Sequence, residues 1–272
     1  MDTPVRIGAV NYLNTKPLIQ DLEELAPEAE LILDVPSRLA DLLAADQLDV
    51  ALIPVIEYFR AGTYAVVPEI AIASRGPVLS VTLFSRVPWT GIRRVALDAG
   101  SRTSAALTRI LLRRRYGVNP EVVPLPLDRG AEEADADAVL LIGDRAMRAC
   151  LPGFAHAFDL GQEWHDWTGL PFVYAVWAVR EGAELGAVAT ALAEAKRRGC
   201  GRIGEIAHRE AAGLGLDAGF CRRYLGNIIH FDLGPRELAG LHHYYMLACE
   251  LDLARRGVTV EFHHPAHLVE SR

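Results

Sequence analysis

Residues 169–179 read GLPFVYAVWAV, an almost unbroken apolar run that opens with a glycine turn. Residues 76–85 read GPVLSVTLFS and form a second run of the same kind after a Gly-Pro pair. Runs that are rich in β-branched and aromatic residues and bounded by turn residues are typical of buried strands. Each run lies at a boundary between two stretches of alternating strand and helix signals. We therefore interpret both runs as crossover strands that join two lobes.

The stretches on either side of the first crossover each predict a mostly parallel sheet covered by helices. Before it, strand signals at residues 5–10, 30–34 and 48–55 alternate with helix signals at residues 16–25 and 35–46. After it, strand signals recur at residues 93–98, 121–125 and 136–144, with helix signals at residues 101–117 and 130–136. The remainder, from residue 182, is mostly helical.

This order predicts an α/β fold of two lobes joined by two crossovers, the type II periplasmic-binding-protein architecture, with a helical C-terminal segment. We expect residues 1–85 and 178–272 to form a discontinuous first lobe, and residues 86–177 to form the second. A ligand would lie in the cleft between them, against helix N-termini and the carboxyl ends of strands.

Composition and charge narrow the classes of function. The 272 residues carry a net charge of -7 without a basic patch interleaved with aromatic residues, which disfavours nucleic-acid binding. Neither a secretory-signal pattern nor a run of about 18 apolar residues occurs, so we expect a cytoplasmic protein that does not bind membranes. None of the four cysteines forms a C-x-x-C pair, and we expect no cofactor. The sequence leaves a homodimer open.

Histidines are frequent near the C-terminus, but their spacing does not match a metal site. They lack a helical i,i+4 pair with a glutamate, and Pro265 interrupts the last cluster. We therefore expect no metal and interpret these histidines as surface residues. They are His242, His243, His263, His264 and His267.

A polar helix start follows the strand at residues 93–98. Ser101, Thr103 and Ser104 bring hydroxyls to a place where a helix exposes free backbone N–H groups, and Arg102 adds a guanidinium. This pattern indicates a site for a carboxylate or phosphate. The plainer alternative is that one serine simply caps the helix.

Further candidates lie beside the crossovers. Ser80 belongs to the first crossover, but no G-x-S-x-G elbow surrounds it, which disfavours a nucleophilic serine. Gly143 would allow a ligand to approach closely. Asp144 is a candidate substrate contact, and the alternative for it is a cap of the helix that follows. Thr168 precedes the second crossover and is a candidate substrate contact. His165 is an acid–base candidate for which the sequence offers no partner.

The N-terminal stretch GAVNYLNTKPL, residues 8–18, places a polar cluster where the first strand gives way to a helix. Such a cluster is either a cap or a site. Asn14 is the member that we expect to face the cleft. An amide is not basic, so Asn14 would position a ligand through hydrogen bonds and would not remove a proton.

These motifs occur in the order of a known family. GAVNYLNTKPL, GPVLSVTLFS and ALDAGSRTSAALTRILL, together with DVALIPVIEY, AVLLIGDRAM and EWHDWTGLPFVYAVWAV, resemble the menaquinone-biosynthesis family of the futalosine pathway. The resemblance covers roughly residues 5–180 and is closest to the chorismate dehydratases of that family.

The resemblance implies a cytoplasmic enzyme that converts chorismate, a dicarboxylate, to 3-[(1-carboxyvinyl)oxy]benzoate with loss of water. It implies functional roles for Asn14 and Ser80, and a carboxylate site at residues 101–104. Our hypothesis is that Asn14 and Ser80 orient the substrate and its leaving hydroxyl, while the enolpyruvyl carboxylate of the substrate takes the proton.

Two alternatives remain beside the dehydratase. A sister enzyme of the same pathway, 1,4-dihydroxy-6-naphthoate synthase, carries a histidine base at the end of the strand that corresponds to residues 136–144. Gly143 and Asp144 stand there in this sequence, which favours the dehydratase. The second alternative is a solute-binding protein without catalytic activity.

Overall fold

The computed structural model describes residues 4–264 and contains two β-sheets flanked by helices. The strands are β1 (Arg6–Val10), β2 (Glu30–Asp34), β3 (Val50–Pro54), β4 (Ala65–Ser74), β5 (Val81–Ser85), β6 (Arg94–Asp98), β7 (Glu121–Leu125), β8 (Ala138–Ile142), β9 (His156–Asp159), β10 (Phe172–Val179) and β11 (Ile229–His230). The α-helices are α1 (Leu22–Leu25), α2 (Pro36–Ala44), α3 (Val55–Ala61), α4 (Arg102–Ile110), α5 (Gly143–Arg148), α6 (Leu160–Thr168), α7 (Val188–Gly201), α8 (Ile203–Leu214), α9 (Ala218–Arg223) and α10 (Pro235–Glu250).

In each sheet, three parallel strands form one side and antiparallel strands extend the other side. The first has the order β11-β4-β10-β3-β1-β2, in which β1 is parallel to β2 and β3, and β10 runs antiparallel between β3 and β4. The second has the order β7-β6-β8-β5-β9, in which β6 is parallel to β7 and β8, and β5 is antiparallel to β8 and β9. The predicted α/β fold of two lobes is confirmed.

The chain changes sheets between Ser74 and Val81, and again between Asp159 and Phe172. Each apolar run predicted to be a crossover strand therefore pairs within one sheet: β5 in the second and β10 in the first. The expected boundaries at residues 85 and 177 place β5 in the first lobe and most of β10 in the second, whereas these strands pair in the opposite sheets. An apolar run indicates burial but does not identify the sheet in which a strand is buried.

The polar cluster after β1 forms a 3₁₀ helix, Leu13–Ile19, where the sequence predicts the start of an α-helix. Pro17 lies inside it and cannot donate the backbone hydrogen bond that a longer α-helix would need. Helix α7 packs against this segment through Gly199, where an added Cβ would lie 2.0 Å from the Pro17 carbonyl oxygen. The close approach of the two backbones thus requires glycine.

Other differences concern element type. Strand β4 is absent from the sequence-based interpretation, and the helix predicted at residues 130–136 is a single 3₁₀ turn, Ala131–Glu133. Helix α4 continues as a π-helical segment, Leu111–Arg115, and α9 continues as a second one, Tyr224–Ile228. Residues 258–264 form an extended segment with one isolated bridge, between Val66 and Phe262.

Within residues 4–264, no helix combines the length and the apolar composition that a bilayer span requires.

Candidate functional site

A pocket of about 530 Å³, counting the open space at its mouth, lies between the two sheets. Much of its lining lies at or just after the carboxyl ends of the parallel strands β1, β2, β3, β6 and β8, and the rest comes from β4, β10 and residues 78–81. Parallel strands end on the same edge of a sheet, so each lobe contributes its strand ends to one cleft.

The first lobe contributes Tyr12, Asn14 and Tyr174 as polar lining residues. Tyr12 is the residue before the 3₁₀ helix, and Asn14 is the second residue within it. The helix therefore places the Asn14 amide at the pocket, as the sequence predicts. Burial, followed by the nearby charges of Asp98 and Asp144, raises the pKa of Tyr12 well above its usual range, so its hydroxyl keeps its proton.

Ser80 lines the pocket from the segment between β4 and β5, and three neighbours hold it in place. Its carbonyl oxygen accepts a hydrogen bond from the backbone N–H of Gly143 at 2.8 Å. Its Oγ accepts one from the hydroxyl of Tyr224 at 2.8 Å. The preceding backbone amides are bound by Asp159, as described next. Ser80 thus sits on a rigidly held loop at the junction of the lobes.

Asp159 joins the two segments in which the chain passes from one sheet to the other. It ends β9 and caps α6 by accepting from the backbone N–H of Gln162 at 3.0 Å. Its carboxylate also accepts from the backbone N–H groups of Val78, at 3.0 Å, and Leu79, at 2.7 Å. Leu79 has a φ of 61°, a strained value for a non-glycine residue, which these bonds maintain. Burial raises the pKa of Asp159, and its backbone hydrogen bonds oppose that rise.

The second lobe contributes the start of α4. Ser101, Thr103 and Ser104 all line the pocket and are at most 6% exposed. Ser101 precedes the helix without making a side-chain cap bond, which departs from the plain capping alternative. The Thr103 hydroxyl accepts a hydrogen bond from the backbone N–H of Ile56 at 3.2 Å, which leaves its proton for another acceptor. The first turn of a helix also offers free N–H groups and a partial positive charge.

Arg102 is not brought to the pocket. Its Nη2 binds both carboxylate oxygens of Asp41 at 2.8 Å, and its Nη1 lies 3.3 Å from Glu57. Both carboxylates belong to the first lobe, so Arg102 forms an ion pair between the lobes. In the first turn of α4, the side chain of residue 102 points away from the cleft while its neighbours point in, because successive helical residues are about 100° apart.

Gly143 lines the pocket, whereas Asp144 does not. Gly143 has a φ of 59°, and a Cβ there would lie 2.9 Å from the Tyr12 ring, so the position needs glycine on both counts. Asp144 was expected to cap α5, but Ile142 occupies the N-cap position. The Asp144 carboxylate instead accepts from the backbone N–H of Leu13 across the cleft, at 3.3 Å. Burial raises the pKa of Asp144.

Thr168 also lies away from the pocket. It ends α6, where its hydroxyl donates to the carbonyl of Trp164 at 2.9 Å and accepts from the backbone N–H of Leu170 at 3.2 Å. These bonds terminate α6. They account for a threonine at this position without any contact to a ligand. His165 does not line the pocket either. Residues 4–264 contain no group of three or more His, Cys, Asp or Glu side chains arranged for a metal; His267 lies outside the described residues.

Three tyrosines that sequence reasoning did not select belong to the site: Tyr12, Tyr174 and Tyr224. The Tyr174 hydroxyl lies 3.2 Å from the Ser74 hydroxyl, and burial raises the pKa of Tyr174 far above 10. Tyr12 belongs to the N-terminal motif GAVNYLNTKPL, so the sequence alone offered a signal for it. Tyr224 comes from a helix 144 residues beyond Ser80, and no local pattern connects the two.

No charged side chain is among the pocket-lining residues of the described chain. The polar groups there are hydroxyls, one amide and backbone N–H groups. Neutral donors fixed in direction can bind an anion without a buried counter-charge, particularly at a helix N-terminus. The pocket is therefore suited to a small, partly apolar, anionic ligand held by hydrogen bonds.

Comparison with known proteins agrees with this geometry. A family model described as menaquinone biosynthesis matches residues 5–250. The chain is 34% identical to the chorismate dehydratase of Thermus thermophilus, over 82% of this chain and 88% of that protein. It is 28% identical to the chorismate dehydratase of Campylobacter jejuni, over 62% and 64% of the two chains.

Solved structures support the fold. An Archaeoglobus fulgidus protein aligns with a TM-score of 0.74 at 17% identity, over 93% of this chain and 99% of that one. The periplasmic aliphatic sulphonate binding protein of Escherichia coli aligns with a TM-score of 0.66 at 18% identity, over 98% and 94%. The architecture is that of periplasmic-binding-protein-like folds. By its family match and its curated relatives, the chain belongs to the menaquinone biosynthesis family.

Proposed function

We propose that this protein is a chorismate dehydratase, which converts chorismate to 3-[(1-carboxyvinyl)oxy]benzoate and water in the futalosine route to menaquinone. The observation that carries the proposal is the pocket itself. Asn14 and Ser80 meet there opposite the start of α4, in a chain whose curated relatives are chorismate dehydratases. The start of α4 would bind one carboxylate of the substrate, through the hydroxyls and N–H groups around Ser101 and Ser104.

The reaction needs little acid–base assistance. The C3–H bond of chorismate breaks, its electron pair forms the C3–C4 double bond, and the C4–O bond breaks as the ring becomes aromatic. The enolpyruvyl carboxylate of the substrate takes the C3 proton, and that proton leaves with the C4 hydroxyl as water. Asn14 and Ser80 orient the leaving hydroxyl through hydrogen bonds, and neither residue needs to exchange a proton with bulk water.

Two other functions are less well supported. The sister enzyme, 1,4-dihydroxy-6-naphthoate synthase, would need a histidine base at the end of β8, where Gly143 lies against Tyr12. No histidine is among the residues that line the pocket in the described chain. A solute-binding protein would share the fold, but the family and the relatives above are enzymes of biosynthesis.

We propose that the enzyme works in the cytoplasm. All four cysteines, Cys150, Cys200, Cys221 and Cys249, are free, which suits a reducing compartment. A homodimer also remains a proposal, and light scattering of the purified protein would test it. Fractionation of cells that express a tagged chain would test the location.

The deciding experiment for the activity is incubation with chorismate, followed by mass spectrometry. We expect a product that is lighter by one water and has the ultraviolet spectrum of a substituted benzoate. Heat-denatured protein is the control for spontaneous decay of chorismate. Intact chorismate after incubation with folded enzyme would contradict the proposal, and calorimetry with the same compound would then show whether it is bound without turnover.

A further inference from the structure

The hydroxyl of Tyr224 is buried beside the candidate site. Tyr224 begins the second π-helical segment and is 1% exposed. Its hydroxyl donates to the Oγ of Ser80 at 2.8 Å. Asn14 lines the same pocket as Ser80. The phenol of Tyr224 therefore contacts one of the two side chains to which the proposed function assigns a role.

This arrangement differs from that of Tyr58 and Tyr245, two other tyrosines with a bonded hydroxyl. The hydroxyl of Tyr58 donates to the carbonyl of Thr259 at 2.9 Å, and that of Tyr245 donates to the carbonyl of Arg255 at 3.0 Å. Main-chain carbonyls of this kind satisfy a buried hydroxyl and need no ligand. The Tyr224 hydroxyl instead donates a hydrogen bond to a serine hydroxyl, which can itself donate to a further acceptor.

The bond from Tyr224 fixes the direction in which Ser80 can donate. A serine hydroxyl has one proton and two acceptor positions. Its oxygen already accepts from Tyr224, and within residues 4–264 no protein acceptor faces its proton. The backbone of Ser80 is held separately, by Gly143 and by its own neighbour Val78. The Ser80 hydroxyl is therefore available to donate its proton to a ligand in the pocket that Ser80 lines.

We propose that Tyr224 is a positioning residue, which holds Ser80 as a hydrogen-bond donor to the leaving hydroxyl of the substrate. The inference rests on the proposed dehydratase activity. As the C4–O bond breaks, its electron pair moves onto oxygen, and the Ser80 hydroxyl bonds more strongly to that oxygen. Tyr224 supports this by polarising Ser80, because hydrogen bonds in a chain strengthen one another. Tyr224 keeps its proton throughout.

The ionisation of Tyr224 agrees with this role. Burial is the largest cause and raises the pKa of Tyr224 well above its usual range. The phenol is therefore neutral over the working range of pH and remains a donor.

The test is Tyr224→Phe in the full chain, which removes one hydroxyl and keeps the ring. We expect kcat for chorismate to fall by on the order of 10- to 100-fold, while KM changes by less than about threefold, since the lost bond matters most when charge develops. The matched control is Tyr58→Phe, which removes a buried hydroxyl outside the pocket and should leave both constants within about twofold. Unchanged kcat in Tyr224→Phe would overturn the inference.

A double-substitution cycle separates positioning from general loss of structure. If Tyr224 acts through Ser80, Ser80→Ala combined with Tyr224→Phe should be no slower than Ser80→Ala alone. Multiplying losses would show that Tyr224 acts independently of Ser80 and would also overturn the inference. Circular dichroism and thermal melting of each variant establish that folded proteins are compared.

If Tyr224→Phe does not fold, site-specific 3-fluorotyrosine at position 224 replaces it. This residue keeps the hydrogen bond but has a more acidic hydroxyl, so kcat should change severalfold at constant KM; no change in kcat would contradict the inference. Wild-type enzyme run in parallel distinguishes the two proposals. If wild type leaves chorismate intact, the proposed function fails, whereas active wild type with equally active variants overturns only the role of Tyr224.

Discussion

The two ends of the cleft pocket are built in opposite ways. At one end, Asn14 and Ser80 come from distant parts of the chain, and Tyr224 from a third part donates a hydrogen bond to Ser80. At the other end, Ser101, Thr103 and Ser104 come from four consecutive residues and expose donors that the protein leaves largely unused. The first arrangement suits holding a reacting group in one orientation, and the second suits binding an anion. Substitutions at the two ends should therefore affect different kinetic constants.

The largest effect is expected from Asn14→Ala. Under the proposed function the amide orients the reacting group, so we expect kcat/KM for chorismate to fall by about 100-fold or more, mainly through kcat. Steady-state kinetics with product detection by mass spectrometry would measure this. Asn119→Ala, at an exposed asparagine, is the control. An Asn14→Ala enzyme with normal binding and turnover would remove the distinction between the two ends.

Gly143→Ala tests the junction between the lobes. The new Cβ would meet the Tyr12 ring at 2.9 Å, and φ of 59° is unfavourable for alanine. We expect a loss of about 2–3 kcal/mol in the free energy of unfolding, together with lower kcat/KM because Tyr12 must move. Thermal and urea unfolding would measure the loss.

Gly117→Ala is a matched control for that substitution. Gly117 has a similar φ of 69°, and nothing lies within 4 Å of its added Cβ. Gly117→Ala has the backbone strain without the clash, so it should lower the free energy of unfolding by about 1 kcal/mol. Equal losses at both positions would mean that the contact with Tyr12 adds nothing.

Thr103→Val tests the anion-binding end. The change removes the acceptor for the Ile56 N–H and a hydroxyl at the pocket while keeping the side-chain shape. We expect KM to rise about tenfold with little change in kcat, since one hydrogen bond to a bound anion is lost. Thr108→Val, five residues further along α4, removes a hydroxyl that bonds the Ser104 carbonyl and is the control. A fall in kcat at constant KM would assign Thr103 to the reacting end.

Asp144→Asn tests the carboxylate that joins the lobes beneath the pocket. Burial raises the pKa of Asp144, so the folded protein binds this proton more tightly than the unfolded chain does. Wild type should therefore lose stability as the pH rises from about 4, where unfolded aspartate titrates, through the folded-state pKa. The variant lacks this loss and can still accept from Leu13.

Melting temperatures at several pH values would check this prediction. The melting temperature of Asp144→Asn minus that of wild type should increase by about 2 °C between pH 4 and pH 7. Asp128→Asn, at an exposed aspartate, should show no such trend. A difference that falls with pH would contradict the sign derived from burial.

Arg102→Gln should have the smallest effect. Arg102 pairs with Asp41 and Glu57 outside the pocket, so we expect KM to change by no more than about threefold at low salt and to match wild type at about 0.5 M NaCl. Arg114→Gln, which removes a surface pair with Glu250, is the control. A large rise in KM that persists in high salt would instead place the guanidinium on the substrate.

The sequence predicts the two-lobe fold because its apolar runs indicate buried strands, and the spacing of apolar residues between them indicates helices. It also predicts the serines of the α4 start and Asn14, which follow strand ends that parallel sheets bring to one edge. It does not predict that Arg102 turns outward, since that depends on Asp41 and Glu57 in the other lobe. Nor does it predict the sheet in which β5 pairs, because its pairing partners are distant in the chain.

The contacts of Thr168 and Tyr224 illustrate the same limit. Thr168 terminates its own helix through hydrogen bonds that are local but depend on a turn the sequence pattern does not specify. Tyr224 reaches Ser80 only because the C-terminal helices fold back onto the first lobe. Residues that act through a distant partner are visible only once both partners are placed.

The tie between the two crossovers has a consequence for synthesis on the ribosome. Ser80 is held in place by Asp159 and Tyr224, which follow it by 79 and 144 residues. A nascent chain that has released only its first lobe cannot yet hold this serine in position. The pocket is therefore completed late in translation, after the C-terminal helices have emerged, and premature termination before residue 224 would yield a chain without its catalytic arrangement.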